Sequence, residues 1–265
     1  MSPSHTTPAG GLKHIILRAV TATVLGCAVV STQAPQLIFA EDNAPAIATA
    51  PGFCNTTAYE PLVEYMGTQL LFYQMDTGHL TMSANAQCPR YGLSLSKLYI
   101  ADYVYRYGEP EEAPIATRMV ETSDDEQAAA FFERYPDSIS TIAREYGLAA
   151  THSEELWGNS VTSAYDIALF LSAKFAQDPN DPVLEAMRNM SPVAADGYQQ
   201  NFGTATLHGV EGTKLGWSND DGMHNSVSFG TDSHGHHFIA IACVFGDSVA
   251  ATRAAQQYLA PMIAS

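Results

Sequence analysis

Apolar and polar positions along this chain change period twice, dividing it into a short strand region, a long helical middle and a second strand region. Gln69 to Met75 reads as a strand, Asp76-Thr77-Gly78 as a turn, and His79 to Ser83 as the returning strand. From Ser94 to Tyr107 the pattern is helical. Lys97, Ala101 and Val104 or Tyr105 recur at helical spacing, and Gly108 ends the run. Ala116 to Thr122, Glu126 to Tyr135, Ser138 to Tyr146 and Asn180 to Met190 read as further helices. Ser163 starts another through Ala176, with Asp166 three residues on as a capping-box variant. Val210 to Trp217, Asn225 to Phe229 and His237 to Phe245 then read as strands, joined by the polar, glycine-containing segments Ser218 to Gly222 and Gly230 to Gly235. Asp247 caps a last helix, Ser248 to Ile263. Helices inserted between the parts of one antiparallel sheet predict an α+β fold.

The N-terminal region changes the picture of where the chain works. Residues 1–40 contain Lys13 and Arg18, no Asp or Glu, an apolar stretch from Ala19 to Val30, and Ile38-Phe39-Ala40 before a cut. This reads as a secretory leader, too short and interrupted for a membrane span. Cys27, in Val24-Leu25-Gly26-Cys27, reads alternatively as a lipid-attachment cysteine. Residues 41–56, rich in Ala and Pro, read as a tether, Thr57 to Met66 as a short helix, and 57–265 as one domain. The expected location is secreted or in the extracytoplasmic cell envelope.

Loss of the leader takes the net charge from −16 to −18, which excludes nucleic acid and anionic membrane as natural partners. Outside the cytoplasm a disulfide is permitted, and Cys54 with Cys88 is the expected pair. It would close a loop of about 35 residues and stabilise by roughly 3–4 kcal/mol. Cys243, inside the apolar run Phe238 to Phe245, reads as a buried strand residue. No cysteine pair has metal spacing, and no acidic or cysteine ligand is tied by spacing to His234, His236 and His237. No metal or other cofactor is expected.

Two segments carry chemistry. Ser94-Leu95-Ser96-Lys97 places a hydroxyl and an amine on one helix face. Gly212-Thr213-Lys214-Leu215-Gly216-Trp217 places a second lysine on a strand, between glycines that let a ligand approach the backbone. A serine hydroxyl needs a nearby base, and a lysine serves when its amine is neutral. Burial and a second cation both lower a lysine pKa, and Lys97 with Lys214 would supply both effects. The N–H groups of Ser94 and Trp217 are candidates for an oxyanion hole. Between the segments lies Ser123-Asp124-Asp125, which reads either as a third site element or as an acidic helix start capped by Ser123. Glu155 and Asn159, four apart, read either as a water-activating pair or as an acidic loop.

With these motifs, with Asp76-Thr77-Gly78 and with the helix entry Thr162-Ser163-Ala164-Tyr165-Asp166, the chain resembles the β-lactamase and penicillin-binding D,D-peptidase superfamily. Within it the class A-like serine hydrolases are the nearest pattern, over roughly residues 57 to 263. The resemblance implies an antiparallel sheet flanked by N- and C-terminal helices, with a small helical subdomain inserted. It implies Ser94 as nucleophile, Lys97 as its base, Ser123 as proton relay and Lys214 as electrostatic anchor. Asp125, Thr213, Gly216 and Trp217 fall at binding positions, and Glu155 at that of a deacylation base. The implied substrate is a small-molecule β-lactam or a peptidoglycan peptide. Two departures stand out. Leu215 replaces a hydroxyl that holds the substrate carboxylate, and Asp125 replaces an Asn, where a carboxylate would keep Lys97 protonated. Ser94 and Ser123 are 29 residues apart, closer than in typical members, so the helical subdomain is expected to be trimmed. A catalytically silent binding module of the envelope and a Ser-Lys esterase, which tolerates Leu215, remain open alternatives.

Overall fold

The computed structural model describes residues 67–264. The expected leader, tether and helix at 57–66 lie outside the described residues, as do Cys27 and Cys54, the expected partner of Cys88.

The chain enters as β1 (Gln69–Gln74) and β2 (His79–Met82), followed by the two-residue strand β3 (Arg90–Tyr91). The helical middle comprises α1 (Ser96–Tyr107), α2 (Ala113–Thr122), α3 (Asp125–Arg134) and α4 (Ser138–Tyr146). Then come β4 (Val161–Thr162), α5 (Ala164–Gln177) and α6 (Pro182–Arg188). The chain returns as β5 (Val210–Trp217), β6 (Met223–Thr231) and β7 (His237–Phe245). It closes with α7 (Ser248–Ala254), a π-helical turn (Ala255–Leu259) and α8 (Ala260–Ala264). The main sheet has the order β2-β1-β7-β6-β5, all antiparallel, and β3 pairs separately with β4. This is the expected α+β arrangement.

Both faces of the sheet are covered, which is why its central strands are almost continuously apolar. Leu71, Tyr73, Ile239, Ile241 and Cys243 face a core built from α1, α5 and α6. Leu70, Phe72, Phe238, Ala240, Ala242 and Val244 face a second core closed by α7 and the π-helical turn. Period-two alternation sends neighbouring residues into different cores. Cys243 is fully buried, as expected, and burial pushes its thiol pKa up.

Several expected boundaries moved. The last helix is interrupted by the π-helical turn, and α6 starts late because Asp181 caps it, accepting from Val183 N, with Pro182 following as the first helical residue. At α5, Ser163 Oγ accepts from Asp166 N at 3.1 Å, but Asp166 does not reciprocate. Its carboxylate accepts instead from Ala150 N at 2.8 Å and Thr151 Oγ1 at 2.7 Å. Thr151 continues through Thr162 to Tyr99 on α1, in contacts of 2.9 and 2.8 Å.

A second buried polar cluster fixes α1 from its far side. Lys174 on α5 contacts Asp102 on α1 and, at 2.8 Å, Asp181 at the start of α6. Lys174 and Asp102 are almost fully buried. Removing one partner of such a pair costs about 3–5 kcal/mol, because the other is left charged and alone.

Burial raises the Asp166 pKa from 3.8 to about 6 despite the hydrogen bonds that its carboxylate accepts. A raised acid favours the fold while protonated. The contribution is complete below the unfolded value and is lost as pH rises through about 6. Urea unfolding between pH 4 and 7 should therefore show wild type losing on the order of 2–3 kcal/mol relative to Asp166→Asn across that window. Parallel pH profiles for the two proteins would refute this role.

Candidate active site

Ser94 sits in a single 3-10 turn, Leu93–Leu95, which runs directly into α1. Leu93 adopts φ +51°, a left-handed conformation that is strained for a leucine. Gly92 N donates to Ser160 O at 2.8 Å, and Asn225 Nδ2 on β6 donates to Tyr91 O at 2.9 Å and to Gly92 O at 3.3 Å. The strained turn is thus clamped from two directions.

Five residues expected at the site converge here. Lys97 Nζ donates to Ser94 Oγ at 2.8 Å, to Ser123 O at 3.0 Å and to Ser123 Oγ at 3.4 Å. Lys214 Nζ reaches the same Ser123 Oγ at 2.8 Å and Leu215 O at 2.9 Å. Asp125 Oδ1 joins as an ion pair 2.6 Å from Lys97 Nζ. Both amines are fully buried, whereas the Asp125 side chain is 64% exposed.

Ser123 ends α2 in the left-handed region, φ +54°, and this bend aims its hydroxyl between the two amines. It does not cap α3. Asp124 does so, accepting from the N–H groups of Glu126 and Gln127.

Strand alternation sorts the residues of β5. Lys214 faces the Ser94 turn, while Thr213 and Leu215 face the other core. Thr213 Oγ1 pairs with Ser228 Oγ at 2.8 Å, so its side chain is not part of the cluster. Leu215 is wholly buried among core residues. A Cβ on Gly216 would fall 2.8 Å from Ser94 N, so only glycine allows the strand this close to the turn. Gly212 serves packing instead, since its Cβ would meet the Phe229 ring at 2.3 Å. Ser218 N bonds Met223 O, so the preceding pair, Trp217 and His224, is of the non-hydrogen-bonded kind. The Trp217 N–H therefore points off the open edge of the sheet. Its indole stacks on Tyr198, centroids 4.5 Å apart, and donates to Asp196 at 3.2 Å.

Glu155 and Asn159 are both exposed. Their segment meets the cluster through Trp157, whose ring centre lies 4.4 Å from Lys97 Nζ. Trp157, Asn225 and Asp196 were not anticipated. The strand position of Asn225 and the loop positions of the other two carry no local signal.

Burial lowers the pKa of Lys97, with Asp125 pulling the other way and Asp124 and Asp196 adding to that pull. Lys214 falls well below its ordinary value, through burial first and then the neighbouring charge of Lys97. Ser94 Oγ lies against one amine held below its ordinary pKa, and Ser123 Oγ joins that amine to a second, an arrangement that can support proton removal from a serine hydroxyl.

No protein-family model matches the chain. It is 29% identical over 157 residues to "Putative lipoprotein LppW" of Mycobacterium bovis and of Mycobacterium tuberculosis. The match covers 52% of this chain, and the chain spans about half the length of those relatives. Among solved structures, cefotaxime-bound penicillin-binding protein D2 of Listeria monocytogenes superposes with a TM-score of 0.56 at 17% identity, covering 72% of this chain and 94% of that one. A β-lactamase of Sphaerobacter thermophilus superposes with a TM-score of 0.60 at 13% identity, covering 79% and 92%. The chain has the fold of the penicillin-binding proteins and β-lactamases. Penicillin-binding protein 5 of Haemophilus influenzae extends the likeness, with a TM-score of 0.55 at 14% identity over 72% of this chain and 69% of that one. In this penicillin-binding protein-like fold, the cluster joins the sheet edge to the helical middle.

Gly216→Ala should fold but slow labelling of Ser94 by a fluorophosphonate at least tenfold, because the new Cβ pushes on the backbone of the Ser94 turn. Gly212→Ala should instead lower stability by about 1–3 kcal/mol through overpacking, with labelling unchanged. Equal labelling losses in both variants would remove the special role of Gly216.

Proposed function

We propose that this chain is an extracytoplasmic serine hydrolase that works through an acyl-enzyme. Ser94 Oγ attacks an amide or lactam carbonyl, and water later releases the acyl group. The observation that carries this is the 2.8 Å contact between Ser94 Oγ and a fully buried lysine amine, itself linked through Ser123 to a second buried amine. An ordinary exposed helix turn would leave Lys97 in water. Burying two amines side by side is costly, and proton transfer gives that cost a use.

The Ser94 and Trp217 N–H groups would receive the oxyanion, each worth roughly 3–4 kcal/mol if aligned. The substrate class that fits is a β-lactam or a D-alanyl cell-wall peptide. It is supported by the fold neighbours, one of which was solved with cefotaxime bound. An envelope location is supported by the leader-like first 40 residues and by the lipoprotein name of the curated relatives. Leu215, buried on the far face with no hydroxyl to offer a carboxylate, favours a second substrate class, simple esters.

Intact mass after incubation with a labelled penicillin tests the proposal. The expected result is one adduct per chain, absent in Ser94→Ala. The adduct should persist, because Glu155 is exposed while Trp157 from its segment covers Lys97. Hydrolysis of p-nitrophenyl esters without penicillin labelling would shift the substrate to esters. Neither activity from the folded protein would overturn the enzyme reading in favour of a binding module.

A further inference from the structure

The chain has four lysines, Lys13, Lys97, Lys174 and Lys214, and the last three are buried. Their partners differ. Lys174 is flanked by two carboxylates, Asp102 and Asp181. Lys97 has one, Asp125. Lys214 contacts two neutral oxygens, Ser123 Oγ and Leu215 O. One hydroxyl thus separates two amines that share a single adjoining carboxylate. Two ammonium groups so close and so dry repel strongly, so one proton is given up. The amine paired with the carboxylate keeps its proton.

We propose that in the resting protein Lys97 is the cation and Lys214 the neutral amine, and that Lys214, reached through Ser123, is where the proton of Ser94 comes to rest. This builds on the reading of Ser94 as nucleophile. The hydrogen bonds define the route. The relay starts at the Lys214 end, so Lys97 has already given up one proton when Ser94 Oγ passes its own to Lys97 Nζ across 2.8 Å, the Ser94 electron pair forming the bond to the substrate carbonyl carbon. The carbonyl π pair moves onto the carbonyl oxygen. Lys97 passes a proton to Ser123 Oγ across 3.4 Å. Ser123 passes its own hydroxyl proton to Lys214 Nζ across 2.8 Å, donating to the amine in that state. Lys97 ends as it began, and Lys214 becomes an ammonium. The carboxylate at position 125 then selects which lysine is the base. The charges bearing on the pair are Asp125 and Asp124 from α3 and its cap, and Asp196 from the loop beside Trp217. Burial lowers both amines, but the Asp125 hydrogen bond pulls Lys97 back up, whereas the charge of Lys97 lowers Lys214 further.

Nitrogen and Cε NMR of the full chain labelled at its four lysines tests this at pH 7. The expected spectrum contains one neutral-amine signal, lost in Lys214→Met and retained in Lys174→Arg. Sequential assignment in wild type gives the same answer if Lys214→Met does not fold. An ammonium at Lys214, or a neutral Lys97, overturns the proposal even if Ser94 is labelled by a neutral fluorophosphonate, and the hydrolase reading then survives. A neutral Lys214 in a protein whose Ser94 resists that probe overturns the transfer step together with the hydrolase reading.

Discussion

Two lysine amines buried on either side of one serine hydroxyl form the constraint around which this structure is organised. Isolated ammonium groups do not enter a protein interior without compensation. Here compensation is unequal, since Asp125 reaches Lys97 from a largely exposed position, while Lys214 has only hydroxyl and carbonyl oxygens. The asymmetry needs three separate pieces of chain to meet: the start of α1, the α2–α3 junction and the edge strand β5. None can shift by an ångström without unpairing a buried polar atom.

The rest of the molecule supplies that rigidity. The Lys174, Asp102 and Asp181 cluster ties α1 to α5 and α6, and the Asp166 network grips Tyr99 on the helix that carries Lys97. Asn225 holds the turn before Ser94 to the sheet. Strain at Leu93 and the left-handed Ser123 persist because such contacts over-determine them. Gly216 completes the set by removing the one side chain that would hold strand and turn apart.

Much of this was legible in the sequence where the signal is local. Periodicity and capping residues located α4, β5 and β7 at the residues observed, and the Ser94–Lys97 spacing on a helix face predicted a contact that the structure contains. What was missed depends on distant partners. The two-residue ladder between β3 and β4 joins positions seventy or more residues apart, with no run long enough to show a period. Asp166 looked like the far arm of a capping box, but Thr151 and Ala150, brought in by the loop after α4, claimed its carboxylate. Ser123-Asp124-Asp125 read either as a site element or as a helix start capped by Ser123, since adjacent polar and acidic residues fit both. The cap fell one residue later, and this shift frees the serine hydroxyl for the two amines.

Lys214 also settles how an open sheet edge is tolerated. β5 is the last strand of its sheet, and the outward backbone groups of such a strand invite pairing with another chain. Lys214 turns back to donate to Leu215 O, removing the middle acceptor of that edge, and the Ser94 turn packs against Gly216. The outward Trp217 N–H lies just beyond the blocked stretch. The edge is closed to a whole strand yet keeps a donor beside the Ser94 turn. A short acyl group needs one donor there, whereas an aggregating strand needs a row of them. One buried lysine therefore blocks the sheet edge with the same amine that the proposed relay makes its proton acceptor.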